Sequence, residues 1–348
     1  MKAGIIGGRG SGKSTVFHAL TGMPPAEGQA DQKNRARLGQ IKIPDPRLDF
    51  LEATYGSRKK VQVELTVLDF APNPKEQKAG AALDPSLLPM MRELDALLIV
   101  IAEFGHASVE LVPALENVEA ELVFADFEQA ERRLERLKKE KPSGDFERMA
   151  LEKCLRHLES GAPLRMQEFT AQESQVLATF CFLSQKPAIV VINCDAEQAA
   201  AEVPAAARTA IASRGLDVLR LAAAFEAELW QLSPEEQGEL LSEAGLKAPA
   251  RDRLIAALYA HLGLMTFYTA GEPEAHAWSL RRGATALEAA ARIHSDIARG
   301  FIRAEVVSFE DFAALRSDAK VKEAGKLRLE GREYVMRDGD IIHIRFKI

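Results

Sequence analysis

Cysteine is scarce in this chain, with three residues among 348. Cys154, Cys181 and Cys194 are odd in number, and no two of them have the C-x-x-C spacing. Disulfide-held folds carry many paired cysteines, and structural zinc sites carry closely spaced ones. The sequence therefore predicts neither a disulfide framework nor a zinc site, and we expect three reduced thiols.

Long hydrophobic runs are also lacking. The longest, residues 96–102, is far shorter than the roughly 20 apolar residues that a membrane-spanning helix needs. The first residues show no charged stretch followed by an apolar one, as a secretory leader would. We therefore expect no membrane association and a cytoplasmic location.

The histidine spacing does not suggest a metalloprotein, and the net charge does not suggest a protein that binds nucleic acid over much of its surface. No metal-ligand spacing links His18, His106, His261, His294 and His343. The net charge is −6, but from Thr266 onward 14 Lys and Arg face 13 Asp and Glu. If RNA is contacted, we expect the C-terminal part to do so; an ordinary mixed-charge surface stays an open alternative.

A glycine-rich run at residues 7–15 matches the phosphate-loop pattern G-x-x-x-x-G-K-[ST] and directly follows the apolar residues 3–6. Backbone N–H groups of such a loop surround a polyphosphate, while Lys13 reaches the β- and γ-oxygens and the Ser14 hydroxyl ligates Mg²⁺. Residues 16–20 read as a helix whose N-terminus faces the phosphates. The alternative is a tight strand-to-helix turn without a ligand. The predicted nucleotide-binding residues here are Gly7, Arg9, Gly10, Ser11, Gly12, Lys13, Ser14 and Thr15.

Strand-like apolar runs alternate with helical patterns in the N-terminal part, which is typical of an α/β fold with a doubly wound, mostly parallel sheet. The ligand crevice of such a sheet lies at the carboxyl ends of its strands. The predicted strands are residues 3–6, 61–68, 96–101, 188–192 and 218–221.

Long charged helices interrupt this pattern at residues 117–186. A break at residues 141–144 separates the first helix from a second at 146–159, and a third follows at 171–183. Because the sheet pattern resumes afterwards, we predict a nucleotide-binding domain of residues 1–116 and 187–264 with residues 117–186 inserted as a helical domain. Its charged face is either a partner surface or a solvated hairpin.

A third region, residues 265–348, predicts a small mixed sheet with one helix at 286–298. Its strands are expected at residues 266–268, 304–307, 326–329 and 341–346. The Asp338-Gly339 pair predicts a β-hairpin between residues 334–336 and 341–344. No arrangement of nucleophile, base and orienting group is evident here, which favours an interaction module.

Several segments together resemble the YchF-type, Obg-like P-loop NTPases of the TRAFAC GTPases, over nearly the whole chain. They are residues 44–49 (PDPRLD), 120–126 (AELVFAD), 151–155 (LEKCL), 266–271 (TFYTAG), 299–306 (RGFIRAEV) and 323–331 (EAGKLRLEG). The resemblance implies a GTPase-like domain, an inserted helical coiled-coil domain and a C-terminal TGS domain of ubiquitin-like β-grasp fold. It also implies association with ribosomes and a common preference for ATP over GTP.

The two switch segments depart from the pattern of that family. Counting back from Gly39, Lys33 stands where relatives have a threonine that closes over Mg²⁺ and the γ-phosphate. The second switch, D-x-x-G in relatives, reads Asp69-Phe70-Ala71-Pro72, and proline has no N–H to donate to the γ-phosphate. By this resemblance Asp69 holds the metal together with Ser14; the alternative is that Asp69 only caps a strand end.

The base-recognition segment departs as well. Asn193 follows the strand at residues 188–192, but the acidic residue that relatives carry three positions later is Ala196 here. Asn193 is expected at the purine N7, Asp195 or Glu197 would reach the base from shifted positions, and Ala223 is expected beside it. The choice between adenine and guanine stays open at this stage.

Two functional hypotheses follow. The first is a monomeric, slow Mg²⁺-dependent ATPase or GTPase that binds purine nucleotide and contacts a ribosome or RNA through its TGS and helical domains. The second is a nucleotide-binding adaptor that no longer hydrolyses. The altered positions at Lys33 and Pro72 favour the adaptor, the intact Lys13-Ser14 pair favours the enzyme, and no side chain is identified that orients the attacking water. A small-molecule kinase would need an arginine-bearing lid, and the resemblance argues against it.

Overall fold

The computed structural model describes residues 1–24, 36–70, 83–105, 108–139 and 145–347. The predictions made for Lys33, for Ala71 and Pro72, for His106 and for the helix break at 141–144 lie outside those residues. In the described part, no helix is both long and apolar enough to cross a membrane.

The strands, numbered along the chain, are β1 (Lys2–Ile6), β2 (Ala36–Lys42), β3 (Lys60–Val61), β4 (Glu64–Phe70), β5 (Ala96–Glu103), β6 (Ala188–Cys194), β7 (Asp217–Leu221), β8 (Leu264–Ala270), β9 (Ala275–Arg281), β10 (Phe301–Ser308), β11 (Arg328–Glu330) and β12 (Asp340–Phe346).

The α-helices are α1 (Lys13–Thr21), α2 (Pro46–Tyr55), α3 (Leu88–Arg92), α4 (Leu111–Leu137), α5 (Asp145–Glu159), α6 (Ala171–Leu177), α7 (Ala205–Ala212), α8 (Ala223–Glu228), α9 (Pro234–Glu243), α10 (Ala250–His261), α11 (Ala286–Ile293), α12 (Ser295–Arg299), α13 (Phe309–Leu315) and α14 (Asp318–Glu323). Single 3₁₀ turns lie at Pro85–Leu87, Leu164–Met166, Ala178–Phe180, Ala196–Gln198 and Leu229–Gln231.

The chain forms two compact units. The first comprises Met1–Ile41 and Thr66–Ala257, and the second comprises Lys42–Leu65 and Leu258–Ile348. The second unit is therefore built from two separate stretches of sequence.

The first unit contains a sheet of strand order β2-β4-β1-β5-β6-β7. Strand β1 pairs in parallel with β4 and β5, and β6 pairs in parallel with β5 and β7. Strands buried on both faces read as continuous apolar runs, and every residue of β6 is buried. The predicted parallel sheet is confirmed, with an additional strand β2 that lacks a clear apolar alternation in the sequence.

The long hairpin of α4 and α5 has its own apolar core, which includes Leu134, Leu151 and the buried thiol of Cys154. Burial raises the pKa of that thiol to about 12, so it is an unreactive packing group. Helix α4 begins at Leu111, six residues before the predicted start of the helical domain. The third predicted helix ends early, because α6 gives way to a 3₁₀ turn at Ala178–Phe180.

The second unit contains a sheet of strand order β11-β10-β12-β8-β9-β3. Helix α11 packs on one face, where Ala286, Ala289 and Ala290 share a core with Phe267 and Ile342. On the other face α2 contributes Leu48 and Leu51 to a core with Tyr268, Ala277 and Phe312. Residues 42–65 thus contribute buried leucines to the interior of this unit.

The predicted hairpin in this region is wrong. The Asp338-Gly339 turn forms, with Gly339 at φ +85°, but β12 pairs with β10 and β8 and not with residues 334–336. Val335 makes only a single bridge, to Thr285. A local turn motif fixed the turn, whereas longer-range pairing decided the partner strand.

The predicted single helix at 286–298 is two helices. His294 lies between α11 and α12 in an extended conformation, and its Nδ1 accepts a hydrogen bond from the N–H of Asp296. A polar side chain that caps the following turn competes with continuation of the helix. Strand β9, which the sequence analysis missed, completes the antiparallel pair with β8.

Candidate functional site

The glycine-rich loop connects the end of β1 to the start of α1. Gly7, Gly10 and Gly12 have φ values of +146°, +81° and +85°, which only glycine adopts without strain. A Cβ at Gly7 would lie 2.3 Å from the carbonyl oxygen of Val100 on β5, so a side chain there cannot fit. The sequence folds this way because its glycines allow a tight turn at the carboxyl edge of the sheet.

Lys13 lies across the loop. Its ammonium donates to the carbonyl oxygens of Gly7 and Gly8, both at 2.8 Å. Burial lowers the pKa of Lys13, while the nearby Asp69 carboxylate acts in the opposite direction. The ammonium is therefore held at the inner edge of the loop by two neutral carbonyl oxygens. Anionic phosphate oxygens accept stronger hydrogen bonds and would replace them.

Asp69 and Ser14 come together beside Lys13. Asp69 lies within β4, opposite Ile5 of β1, and not after the end of the strand as predicted. Burial raises the pKa of its carboxyl group, while a hydrogen bond to the Ser14 side chain and the charges of Arg37 and Lys13 lower it. Its Oδ1 is buried without a hydrogen-bond partner among the described residues.

A buried orphan carboxylate oxygen beside a serine hydroxyl is a donor set that suits Mg²⁺, which prefers oxygen ligands and keeps several waters. Ser14 and Asp69 thus fit the role that the resemblance predicts for them. No cluster of three or more His, Cys, Asp or Glu side chains suited to a metal occurs in the described part of the chain. Such a cluster is not needed for a magnesium ion that is also held by phosphates.

Asn193 joins the phosphate loop to the loop after β7. Its side-chain amide donates to the carbonyl oxygen of Ser11 at 3.1 Å, and its side-chain oxygen accepts from the N–H of Ala223 at 3.1 Å. The residue is only 4% exposed. Both halves of the amide therefore have protein partners, and Asn193 positions the two loops in addition to any contact with a base.

The remaining predicted base-recognition residues are arranged differently. Asp195 is exposed, and its carboxylate accepts a hydrogen bond from the N–H of Gly105 at 3.2 Å. Ala196 begins a 3₁₀ turn, and the exposed Glu197 of that turn is not among the residues that line the adjoining pocket. Asp195 thus fixes the loop after β5 and is partly committed to that contact.

An open pocket of about 330 Å³ adjoins these loops. This volume lies within the range of small-molecule sites. Its lining is mostly apolar or small, with two carboxylates: Thr15, Phe104, Asn193, Cys194, Asp195, Ala196, Ala222, Ala224, Phe225 and Glu228. The carboxyl ends of β5, β6 and β7, the segments that follow them and Thr15 of α1 form it, as the fold rule predicts.

Sequence reasoning missed Phe104, Phe225 and Glu228. Phe104 directly follows β5, so the rule that ligands bind beyond strand ends could have found it. Phe225 and Glu228 lie on α8, one and four residues beyond Ala224, and no motif marks them. The structure thus places Thr15, Asn193 and Asp195 on the pocket but not Ala223, and it brings Lys13, Ser14 and Asp69 together at the glycine-rich loop.

Comparison with known proteins gives matches over the whole chain. The chain is 36% identical to the Ribosome-binding ATPase YchF of Bacillus subtilis (strain 168), with all of both sequences covered. It is 35% identical to the Ribosome-binding ATPase YchF of Escherichia coli O157:H7, covering all of this chain and 99% of that protein.

A solved structure and a family model agree. The Schizosaccharomyces pombe YchF GTPase matches with a TM-score of 0.84 and 27% identity, covering 99% of this chain and 97% of the other. The family model YchF-GTPase_C, described as "Protein of unknown function (DUF933)", matches residues 264–347. With its phosphate loop at the end of β1 and these full-length similarities, the chain belongs to the YchF family.

Proposed function

We propose that this protein binds ATP at the loop of residues 7–15 and hydrolyses it slowly, and that it associates with the ribosome. The observation that carries the proposal is the tether through Asn193, which joins Ser11 of the phosphate loop to Ala223 beside the open pocket. A nucleotide needs a phosphate site and a base site at a fixed separation, and a buried two-way amide holds that separation.

The named relatives support this reading. They are called ribosome-binding ATPases, and the chain matches them from end to end. We carry the ribosome over as the proposed partner, reached through the helical region 117–186 and the C-terminal region 265–348. The proposed division into a nucleotide-binding domain, an inserted helical domain and a TGS domain follows the same resemblance, as do the proposed monomeric state and cytoplasmic location.

The choice of ATP over GTP rests on the pocket. Guanine offers two N–H donors on one edge, which a carboxylate accepts, and Ala196 has no side-chain acceptor. Asp195 already accepts from Gly105, although Glu228 also lines the pocket. Phe104 and Phe225 can bury the ring of either purine, so they do not distinguish adenine from guanine. The missing carboxylate at Ala196 is the feature that favours adenine.

Magnesium is the proposed cofactor. Ser14 and Asp69 would hold it, the hydroxyl directly and the carboxylate directly or through water, and the ion would offset charge on the phosphates. The chain's own contributions are backbone donors of the loop, the Lys13 ammonium, and the pocket that orients the base.

A second candidate is the non-hydrolysing adaptor. Pro72, which has no N–H, occupies the position of a γ-phosphate donor in relatives, and this specific change favours it. Calorimetric titration with non-hydrolysable ATP and GTP analogues in Mg²⁺, followed by phosphate release with ATP, separates the two. Binding with turnover supports the enzyme, binding without turnover supports the adaptor, and no binding of either analogue contradicts both.

Ribosome association is tested separately by co-sedimentation of the full chain with purified ribosomes, with ATP analogue, with ADP and without nucleotide. Co-sedimentation that depends on the bound nucleotide is the expected result. A protein that stays in the supernatant under all three conditions contradicts the proposed partner while leaving the nucleotide site intact.

A further inference from the structure

Arg9 is the residue of the phosphate loop whose side chain has no assigned role. It lies between Gly8 and Gly10, and it is exposed. No described residue forms a hydrogen bond, ion pair or ring contact with its guanidinium. Because Arg9 has no acidic partner among the described residues, its positive charge is available to an anion.

The other polar side chains of the loop are engaged, buried or, at Thr15, half-buried and uncharged. Lys13 donates to two carbonyls, and the Ser14 hydroxyl bonds the Asp69 carboxylate. The Ser11 hydroxyl is buried. Arg9 is therefore the side chain of residues 7–15 that combines charge, exposure and freedom from protein partners.

The position of Arg9 along the backbone places it next to the phosphate-binding lysine. The Lys13 ammonium lies 2.8 Å from the carbonyl oxygen of Gly8, and Gly8 is bonded to Arg9. The Arg9 side chain thus belongs to the residue that directly follows the carbonyl group to which Lys13 donates. An arginine side chain is long and flexible enough to reach a phosphate that the same lysine contacts.

A nearby arginine provides a contrast. Arg37 on β2 also acts on the charge of Asp69, but its guanidinium donates to the carbonyl of Pro24 and lies over the ring of Phe17, 4.9 Å from the centroid. Arg37 is therefore committed to protein contacts. Among the residues that the structure describes, Arg9 is the cation near the loop that a nucleotide could recruit without breaking an existing bond.

The chain also has a chemical need for such a cation. Proline at residue 72 removes a backbone donor, and lysine at residue 33 stands where a magnesium-ligating hydroxyl is expected. Charge develops on the γ-phosphoryl oxygens and on the leaving group during transfer, and an arginine supplied in cis or in trans stabilises that charge. A guanidinium can donate two parallel hydrogen bonds to phosphate oxygens.

We propose that Arg9 binds the γ-phosphate of the nucleotide from within the phosphate loop and stabilises the charge that develops there during hydrolysis. This inference rests on the proposed nucleotide-binding function. In this proposal the loop itself contacts the γ-phosphate, which in relatives is a task of the two switch segments.

The test compares two ligands in four proteins. Affinities for ADP and for a non-hydrolysable ATP analogue are measured by calorimetry in Mg²⁺ for the unaltered chain, Arg9→Ala, Arg9→Lys and Arg208→Ala. Arg208 is an exposed arginine on α7, so its replacement controls for the loss of one surface cation. Phosphate release from ATP is measured on the same samples.

Arg9→Ala is expected to lower the affinity for the ATP analogue roughly tenfold to a hundredfold, which corresponds to the loss of a charge-assisted hydrogen bond. The affinity for ADP is expected to change less than about twofold. Turnover is expected to fall by about a hundredfold or more, since a cis or trans arginine contributes about 10³–10⁵ in other phosphoryl-transfer proteins. Arg9→Lys should restore part of the triphosphate affinity, and Arg208→Ala should match the unaltered chain.

Three outcomes overturn the inference. Equal losses for ADP and the analogue mean that Arg9 only shapes the loop. Unchanged affinity and unchanged turnover in Arg9→Ala mean that the guanidinium does not reach the γ-phosphate. If the unaltered chain binds neither ADP nor the ATP analogue, the proposed function fails and the inference fails with it. That outcome is distinguishable from failure of the inference alone, because it is seen in the unaltered chain and not in a comparison with the variants.

Discussion

The side-chain amide of Asn193 donates a hydrogen bond to the carbonyl oxygen of Ser11, across 182 positions of sequence. The same side chain accepts from the N–H of Ala223, so one buried residue joins two loops at the carboxyl edge of the sheet. A buried polar group that loses its partner costs about 1–3 kcal/mol. Asn193 therefore adds a direct side-chain link between the glycine-rich loop and the segment after β7, beyond the strand pairing that carries both.

Asn193→Ala is expected to lower the free energy of unfolding by about 1–3 kcal/mol and to weaken nucleotide binding, because the Ala223 N–H and the Ser11 carbonyl lose their partner. Asn193→Asp should be at least as harmful, since a second oxygen would face the Ser11 carbonyl in a buried place. Urea unfolding of the apo protein and calorimetry with ATP analogue measure the two effects. Unchanged unfolding in both variants would contradict a positioning role.

Lys13→Ala is expected to abolish stabilisation by nucleotide. A ligand that binds only the native state adds about 2.7 kcal/mol at a hundredfold excess over Kd. Thermal unfolding with and without ATP analogue and Mg²⁺ measures the shift, and Lys247→Ala, at an exposed position outside the loop, is the control. A variant that keeps the full shift would show that the nucleotide binds elsewhere.

Gly12→Ala is expected to destabilise the apo protein itself. The new Cβ would lie 2.2 Å from Asn193 Nδ2, and the residue has φ +85°, which alone costs about 1–2 kcal/mol in a non-glycine residue. Gly8→Ala is the matched control in the same loop, because its Cβ would have no heavy atom within 4 Å. Apo unfolding midpoints should drop for Gly12→Ala and stay near the original for Gly8→Ala; equal midpoints would count against the tight contact.

The C-terminal region is expected to need residues 42–65 for full stability. Leu48 and Leu51 of α2 are fully buried against Tyr268 and Phe312, and losing one such leucine typically costs about 2–5 kcal/mol. A fragment of residues 258–348 should therefore unfold at lower urea than one in which residues 42–65 are fused to it through a flexible linker. Equal midpoints would mean that α2 adds nothing to this core.

Acidification is expected to destabilise the second unit through His276. Its ring is stacked on Trp278, with centroids 3.6 Å apart, and burial lowers its pKa although the bond to Glu274 opposes this. The unfolded chain therefore takes up the proton first, and stability is lost as pH falls below about 6.5. His276→Phe keeps a stacked ring without the proton.

Thermal unfolding between about pH 7 and pH 5.5 tests this, because ordinary carboxyl groups titrate mainly below that window. The fall in midpoint should be smaller in His276→Phe than in the unaltered chain. His343→Phe, at an exposed position of β12, controls for the loss of one imidazole. An identical fall in His276→Phe and the unaltered chain would exclude His276 as the cause.

The phosphate loop and the parallel sheet were predictable because both follow from local patterns. Apolar runs gave β1, β5, β6 and β7, and the glycines with Lys13 gave the loop. The strands β2 and β9 were missed because neither shows a continuous apolar run, and their place is decided by pairing with distant strands.

The pocket was predictable only in part. Asn193 was found through its motif and lines the pocket, whereas Ala223, predicted beside the base, is not in the lining. The two-way tether depends on the exact distances from Asn193 on β6 to two loops, which no motif states. Phe104, Phe225 and Glu228 lie on separate elements and meet only in the folded chain. The failed hairpin at Asp338-Gly339 shows the same limit, since a turn does not choose its strand partner.

Because residues 42–65 belong to the second unit, the polypeptide passes between the two units three times, at residues 41–42, 65–66 and 257–258. A domain joined to its neighbour at one point can be exchanged in evolution by fusing genes end to end. For the second unit, such a fusion would also have to replace residues 42–65, which lie between the two stretches of the first unit. A C-terminal truncation therefore leaves α2 without the strands that cover its leucines.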